Sequence, residues 1–207
     1  MKSLLLGFDC RWCSLEDAAQ WNESRRARYL LKPLKGIPMS VDTVVLPSIF
    51  DFDNGNSSAQ EFKLAPADFH QQALRLWRDF TEMHRRATSV IQVKTVTEIA
   101  ICLSHSASPL EQWWHDFERE PVVPAALDSS WTSVGFDVAD RHLTSVVSNC
   151  GFEQHEKEML VKTWAGSLNS VGLFGDQRHA TAFGKFFEDK VPAHSPLFVF
   201  EILSKTR

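Results

Sequence analysis

The sequence predicts an α+β fold: a single domain, 1–207, with a mixed or antiparallel sheet packed against several amphipathic helices. Three observations point there. The 207 residues suit one globular domain, divisible at most into sub-lobes 1–125 and 126–207. Segments of helical and of strand periodicity mix without a steady βαβ rhythm. The 43% apolar share, with 15 Phe and 7 Trp, supplies ample material for a core. A chain of this length hides about 70% of the surface its unfolded form exposes.

Residues 3–9 form the first expected strand. Ser14-Leu-Glu-Asp17 has the spacing of a capping box and opens a helix to about Leu31, which Pro33, Gly36 and Pro38 end. Val41 to Phe50 alternates as a strand, broken near Pro47, and Asp51 to Ser58 is a polar turn. Pro66 to Ala87 has the clearest helical spacing: Phe69, Ala73, Trp77, Phe80, His84 and Ala87 recur at three- and four-residue steps, and Leu76 and Met83 widen the stripe. Val90 to Leu103, rich in β-branched residues, predicts one long strand. A second capping box, Ser108-Pro-Leu-Glu111, starts a helix that Pro121 and Pro124 close. Trp131 to Val138 is a strand, followed by a short helix or turn through Asn149, with Gly151 as its left-handed terminator. Glu153 to Leu168 is a helix with Leu160, Val161 and Trp164 inward. Asp176 caps a last helix that buries Ala180, Phe183, Phe186 and Phe187; Val191-Pro192 stops it, and Leu197 to Leu203 is the closing strand. No repeat or low-complexity segment is visible.

Charge and cysteine usage narrow the function classes. The net charge of −4 argues against a general nucleic-acid binder. No apolar run reaches the roughly 18 residues of a membrane span. The apolar part of MKSLLLGFDCRWC is too short for a secretory signal, so an uncleaved, cytoplasmic chain is expected. The four cysteines are too few and scattered for a disulfide framework. Basic residues dominate 1–40, whereas Glu111, Asp116, Glu118, Glu120, Asp128, Asp137 and Asp140 face Arg119 alone in 111–140. Such asymmetry points to a basic partner, or to an acidic face that simply meets water.

Four groupings are tested for chemistry. Cys10-Arg-Trp-Cys13 has redox spacing and precedes a predicted helix, but zinc would need two further ligands, and two unpaired structural thiols are the simpler reading. Asp51-Phe-Asp53-Asn-Gly-Asn56 misplaces the glycine of a calcium loop and lacks its final glutamate. The eight histidines are dispersed; His84, on an apolar stripe, is expected to be a satisfied core histidine, and no metal or other cofactor is expected. The stretch Asp137 to Cys150 is the richest. Cys150 or Ser148 with His142 would form a nucleophile and base, yet no nucleophile elbow or phosphate loop accompanies them. Asp137, Asp140, Asn149 and Gly151 are therefore assigned to holding a turn. Adjacent tryptophans on a helix point about 100° apart. One of Trp113 and Trp114 can thus stay exposed as an anchor among acids.

Gly135-Phe-Asp-Val-Ala-Asp140, Ser148-Asn-Cys-Gly-Phe152, Leu168-Asn-Ser-Val-Gly-Leu-Phe174 and Val191-Pro-Ala-His-Ser-Pro196 resemble a group of poorly characterised bacterial proteins, over about the last third of the chain. That group is similar to immunity proteins encoded beside polymorphic or contact-dependent inhibition toxins. The resemblance implies a non-enzymatic cytoplasmic inhibitor of a cognate toxin domain and no catalytic residues. With the acidic segment, it makes Trp113, Trp114, Asp116, Glu118, Glu120 and Asp128 the expected contacts to a toxin with a basic cleft. The alternatives are a small hydrolase or transferase using Cys150 or Ser148 with His142, and a structural or regulatory component of a larger assembly.

Overall fold

Four strands and three helices order the described residues of the computed structural model, which are 4–12, 39–42, 48, 76–77, 79–90, 96–104, 127–140, 142–147, 154–190 and 192–205. In chain order they are β1 (Leu4–Trp12), α1 (Phe80–Val90), β2 (Val96–Leu103), β3 (Trp131–Ala139), α2 (Gln154–Trp164), α3 (Gln177–Glu188) and β4 (Phe198–Lys205). The strands form one sheet in the order β1-β2-β4-β3, antiparallel at every junction. The fold is α+β.

Alternation along the strands sorts side chains onto two faces. One face carries Ile99, Ile101 and Leu103 of β2 and Phe198, Phe200 and Ile202 of β4, covered by Met39, Val41, Leu143 and Leu173. The polar Asp9, Arg11 and Asp137 register with this set, through the pairs Asp9↔Ile99, Arg11↔Thr97 and Asp137↔Phe200. Helices cover the other face. α1 sets Met83 and Ala87 against Leu5, Phe8 and Cys10 of β1 and Ala100 and Cys102 of β2. α3 sets Ala180, Phe183 and Phe187 against Val138 of β3 and Val199 of β4. Both edge strands bulge at a glycine, between Leu5 and Gly7 and between Ser133 and Gly135. A bulge bends its strand and raises the local twist.

α3 shows local sequence and packing in agreement. Asp176 stands in extended conformation and its carboxylate accepts the His179 N–H at 3.0 Å. Four buried positions, Ala180, Phe183, Gly184 and Phe187, then recur at helical spacing. Phe183 packs at a tilt against Phe187 at 4.4 Å and Phe174 at 5.0 Å, and meets Trp164 edge-on at 5.4 Å. Asp176→Ala is expected to lower Tm by about 3 °C, read from thermal denaturation. The Asp176 carboxyl is held below its usual range, first by the His179 N–H and then by its imidazole. That contribution is present at neutral pH and fades as acid protonates the carboxylate.

Several expectations are corrected. The helix expected over 66–87 is interrupted at the described Leu76 and Trp77, and α1 begins at Phe80, where Asp79 accepts the Glu82 N–H at 2.8 Å and caps it. Trp77, on the expected stripe, is instead extended: it exchanges two hydrogen bonds with Phe8, each 2.8 Å. Tertiary pairing overrides the helical spacing. Residues 66–75 lie outside the described set. The strand expected from Val90 starts at Val96, and Val90 ends α1. His84 is no core residue; its side chain is 46% exposed, with Nδ1 against the buried carboxylate of Glu98. Val161 and Phe186, expected inside, are 41% and 37% exposed. α2 is fixed by Leu160 and partly by Trp164, so Val161 turns to its outer side. On α3 the inward place is taken by Gly184, which is buried beside Val138. The helices expected from Ser14 and Ser108 lie outside the described residues.

Candidate functional site

The polar residues that alternation should have excluded from the core lie on the sheet face opposite α1 and α3, in two clusters. The first sits on β1. Asp9 and Arg11, two apart and so on one face, are fully buried and form an ion pair of 2.7 Å between Oδ2 and Nε. The other Asp9 oxygen accepts the Ser48 hydroxyl at 2.6 Å and the Cys10 N–H at 2.8 Å. The Arg11 guanidinium donates to the carbonyl of Val41 at 3.2 Å.

The second cluster is built around Asp137 of β3, opposite in direction to Val138. One oxygen accepts the Ser145 hydroxyl at 2.7 Å and the Val138 N–H at 2.8 Å. The other accepts the Ser40 hydroxyl at 2.6 Å and the Val41 N–H at 3.0 Å. Four donors fill the acceptor capacity of a carboxylate. Both serines are themselves anchored, Ser40 Oγ accepting from the Asp42 N–H and Ser145 Oγ from the Val147 N–H. Asp42 closes the ring by accepting the Ser145 N–H at 3.2 Å. Burial pushes the Asp137 carboxyl above the usual carboxylate range, against the opposing pull of its hydrogen bonds. Val41 thus joins both clusters, with its N–H on Asp137 and its C=O on Arg11.

Where β3 ends, Asp140 organises the turn. One of its oxygens accepts the N–H groups of His142 and Thr144, at 2.8 and 3.0 Å, and Leu143 takes a positive φ of 61° inside that turn. Its other oxygen lies 2.9 Å from Nδ1 of His194, whose side chain is 30% exposed. Sequence reasoning missed His194, because 54 positions separate it from Asp140. The signal lay in the two motifs carrying the resemblance, since 135–140 and 191–196 meet at this pair. The motif at 168–174 converges on the same strand: Asn169 donates to the Val134 carbonyl at 2.8 Å, and Phe174 pairs with Phe136.

The remaining expected site residues divide as follows. Asp128 is exposed and accepts the hydroxyl and N–H of Ser130 in the turn entering β3, which hold its carboxyl below the usual range with help from Lys205. His142 is exposed, with its backbone on Asp140. Trp113, Trp114, Asp116, Glu118, Glu120, Ser148, Asn149, Cys150 and Gly151 lie outside the described residues. So does Cys13, while Cys10 is a free, buried cysteine within β1. Cys102 is buried too, and burial, with Glu201 adding, pushes its thiol up to about 12. Among the described residues no group of His, Cys, Asp or Glu could hold a metal ion, and no helix is long and apolar enough to cross a membrane. Compared with protein-family models, curated proteins and solved structures, the chain finds no match.

Proposed function

We propose that this chain is an immunity protein that binds and neutralises a cognate bacterial toxin domain through an acidic surface bearing aromatic side chains. The observation that carries this reading is the division among the three described acids of 111–140, Asp128, Asp137 and Asp140. Asp137, saturated by hydroxyl and backbone donors, and Asp140, which accepts two backbone N–H groups and meets His194, are buried and hold the fold. Asp128 keeps an ionised carboxylate in water at the start of β3. Acids that are not needed for folding are available to steer a basic partner. The motifs resembling immunity proteins, where described, converge on β3 and support the same reading. Trp113, Trp114, Asp116, Glu118, Glu120 and Asp128 are its proposed contacts.

The alternative, a hydrolase or transferase working through Cys150 or Ser148 with His142, has one supporting observation: a carboxylate does orient an imidazole here, although it is His194 that Asp140 meets. Co-expression with the product of a neighbouring toxin gene, followed by co-purification and growth protection, separates the two. The triple variant Asp116→Lys, Glu118→Lys, Glu120→Lys is expected to weaken toxin binding at least tenfold and to flatten its salt dependence. Cys150→Ala with His142→Ala is expected to leave protection intact. Unchanged affinity in the triple variant removes the acidic-face reading.

A further inference from the structure

We infer that the domain is a tandem duplication: two copies of one unit in which a strand, a capped helix and a second strand follow in order. The first holds β1, α1 and β2 and the second β3, α3 and β4, with α2 lying between β3 and α3. The β2–β4 seam is their interface, and what each unit's inner strand fits is a second copy of the same unit.

The register carries this. Exchanging the two units leaves the order β1-β2-β4-β3 unchanged. Ile101 pairs with Gly7 on one side, Ile202 with Gly135 on the other, and the two isoleucines pair with each other. A two-fold axis between Ile101 and Ile202 therefore relates the halves, and it interchanges the flanking pairs Ile99↔Ser204 and Leu103↔Phe200.

The side chains repeat with the backbone. Gly-Phe-Asp occurs at 7–9 and at 135–137, each time just after a one-residue bulge. A Cβ on Gly7 would meet the Trp77 carbonyl at 2.7 Å and Leu76 Cβ at 2.8 Å; one on Gly135 would meet the Phe174 carbonyl and Leu173 Cβ, both at 2.8 Å. Phe8 exchanges two hydrogen bonds with Trp77, and Phe136 exchanges two with Phe174. Two positions further on, Asp79 and Asp176 each accept the N–H three residues ahead and start α1 and α3. One oxygen of Asp9 and one of Asp137, Oδ1 in each, accept the following N–H and a serine hydroxyl, from Ser48 and Ser145 respectively. Those serines also bridge equivalent strand positions, Arg11 and Ala139. Serine, aromatic residue and capping acid follow at identical intervals, 48, 77, 79 and 145, 174, 176. Similar topology alone would not reproduce hydrogen bonds at matching offsets. The copies differ in two respects: Arg11 is answered by Ala139, and the chain between strand and serine is far longer in the first unit.

Two measurements on the whole chain test it. Rotation requires β4 to lead into β1 across the same gap that β2 crosses into β3. A circular permutant reading 127–207, a Gly/Ser linker as long as the 104–130 crossover, then 1–126 is expected to fold. Its amides at Phe8, Trp77, Phe136 and Phe174 should stay protected from exchange. Gly7→Ala and Gly135→Ala, placed in the natural chain order, are expected to lower Tm by amounts within about 5 °C of each other. A permutant without that protection, or a matched pair differing by more than this, overturns the duplication.

Discussion

Replacing Asp137 by asparagine is expected to lose about 3 kcal/mol of folding stability, measured by urea denaturation at neutral pH. Volume is conserved, so no cavity term enters. What changes is donor and acceptor matching. Each Asp137 oxygen accepts one hydroxyl and one backbone N–H. A serine hydroxyl can rotate away from an introduced amide, but the N–H of Val41 or Val138 cannot. Whichever way the asparagine amide turns, its NH2 group faces one of those fixed donors, and a buried N–H is left unsatisfied. Loss of under about 1 kcal/mol would show that the 39–42 segment does not depend on this carboxylate.

The same variant has a pH signature. Burial raises the folded carboxyl above its unfolded range, so the native state binds a proton more readily than the unfolded chain does. The contribution from that preference is fully present below the unfolded value of about 3.9 and is lost as pH rises through the folded value. Asparagine has no such term. The stability gap between wild type and Asp137→Asn is therefore widest in acid and narrows as pH rises across that window. A gap that widens with pH would mean that the four donors outweigh burial.

Strand positions were legible where alternation and β-branching agree, as in β3, and α3 was legible from its cap and its apolar spacing. Failures came where one residue satisfies two patterns. Trp77 fits a helical stripe and also pairs as a strand with Phe8, and the Asp79 cap settles the matter in favour of the strand. Phe186 fits the α3 stripe by type, yet the buried stripe is narrower and runs through Ala180, Phe183, Gly184 and Phe187. The repeat escaped for a different reason. Its matched positions are sparse, and the long segment between Arg11 and Ser48 breaks the spacing, although Gly-Phe-Asp stands in both halves. In the candidate site, the turn at Asp140 follows from local chemistry, whereas its contact with His194 depends on the packing of two distant segments.

Arg11→Met is expected to be more damaging still, with a loss of about 4 kcal/mol. Methionine keeps much of the volume but removes the charge that faces Asp9 at 2.7 Å and the donor to the Val41 carbonyl. An aspartate buried at 1% exposure would then lose the cation that faces it, while the neutral donors Ser48 and Cys10 stay. Uncompensated buried charge is the dominant penalty in such a change, so relieving it should restore stability. Adding Asp9→Asn to Arg11→Met is expected to recover about 1–2 kcal/mol of the loss, even though it removes a second native group. Urea denaturation of the two single variants and the double variant supplies the cycle. If the double variant is as unstable as the sum of the single variants, the two side chains act independently, and the ion pair is not what fixes β1 to the 39–42 segment.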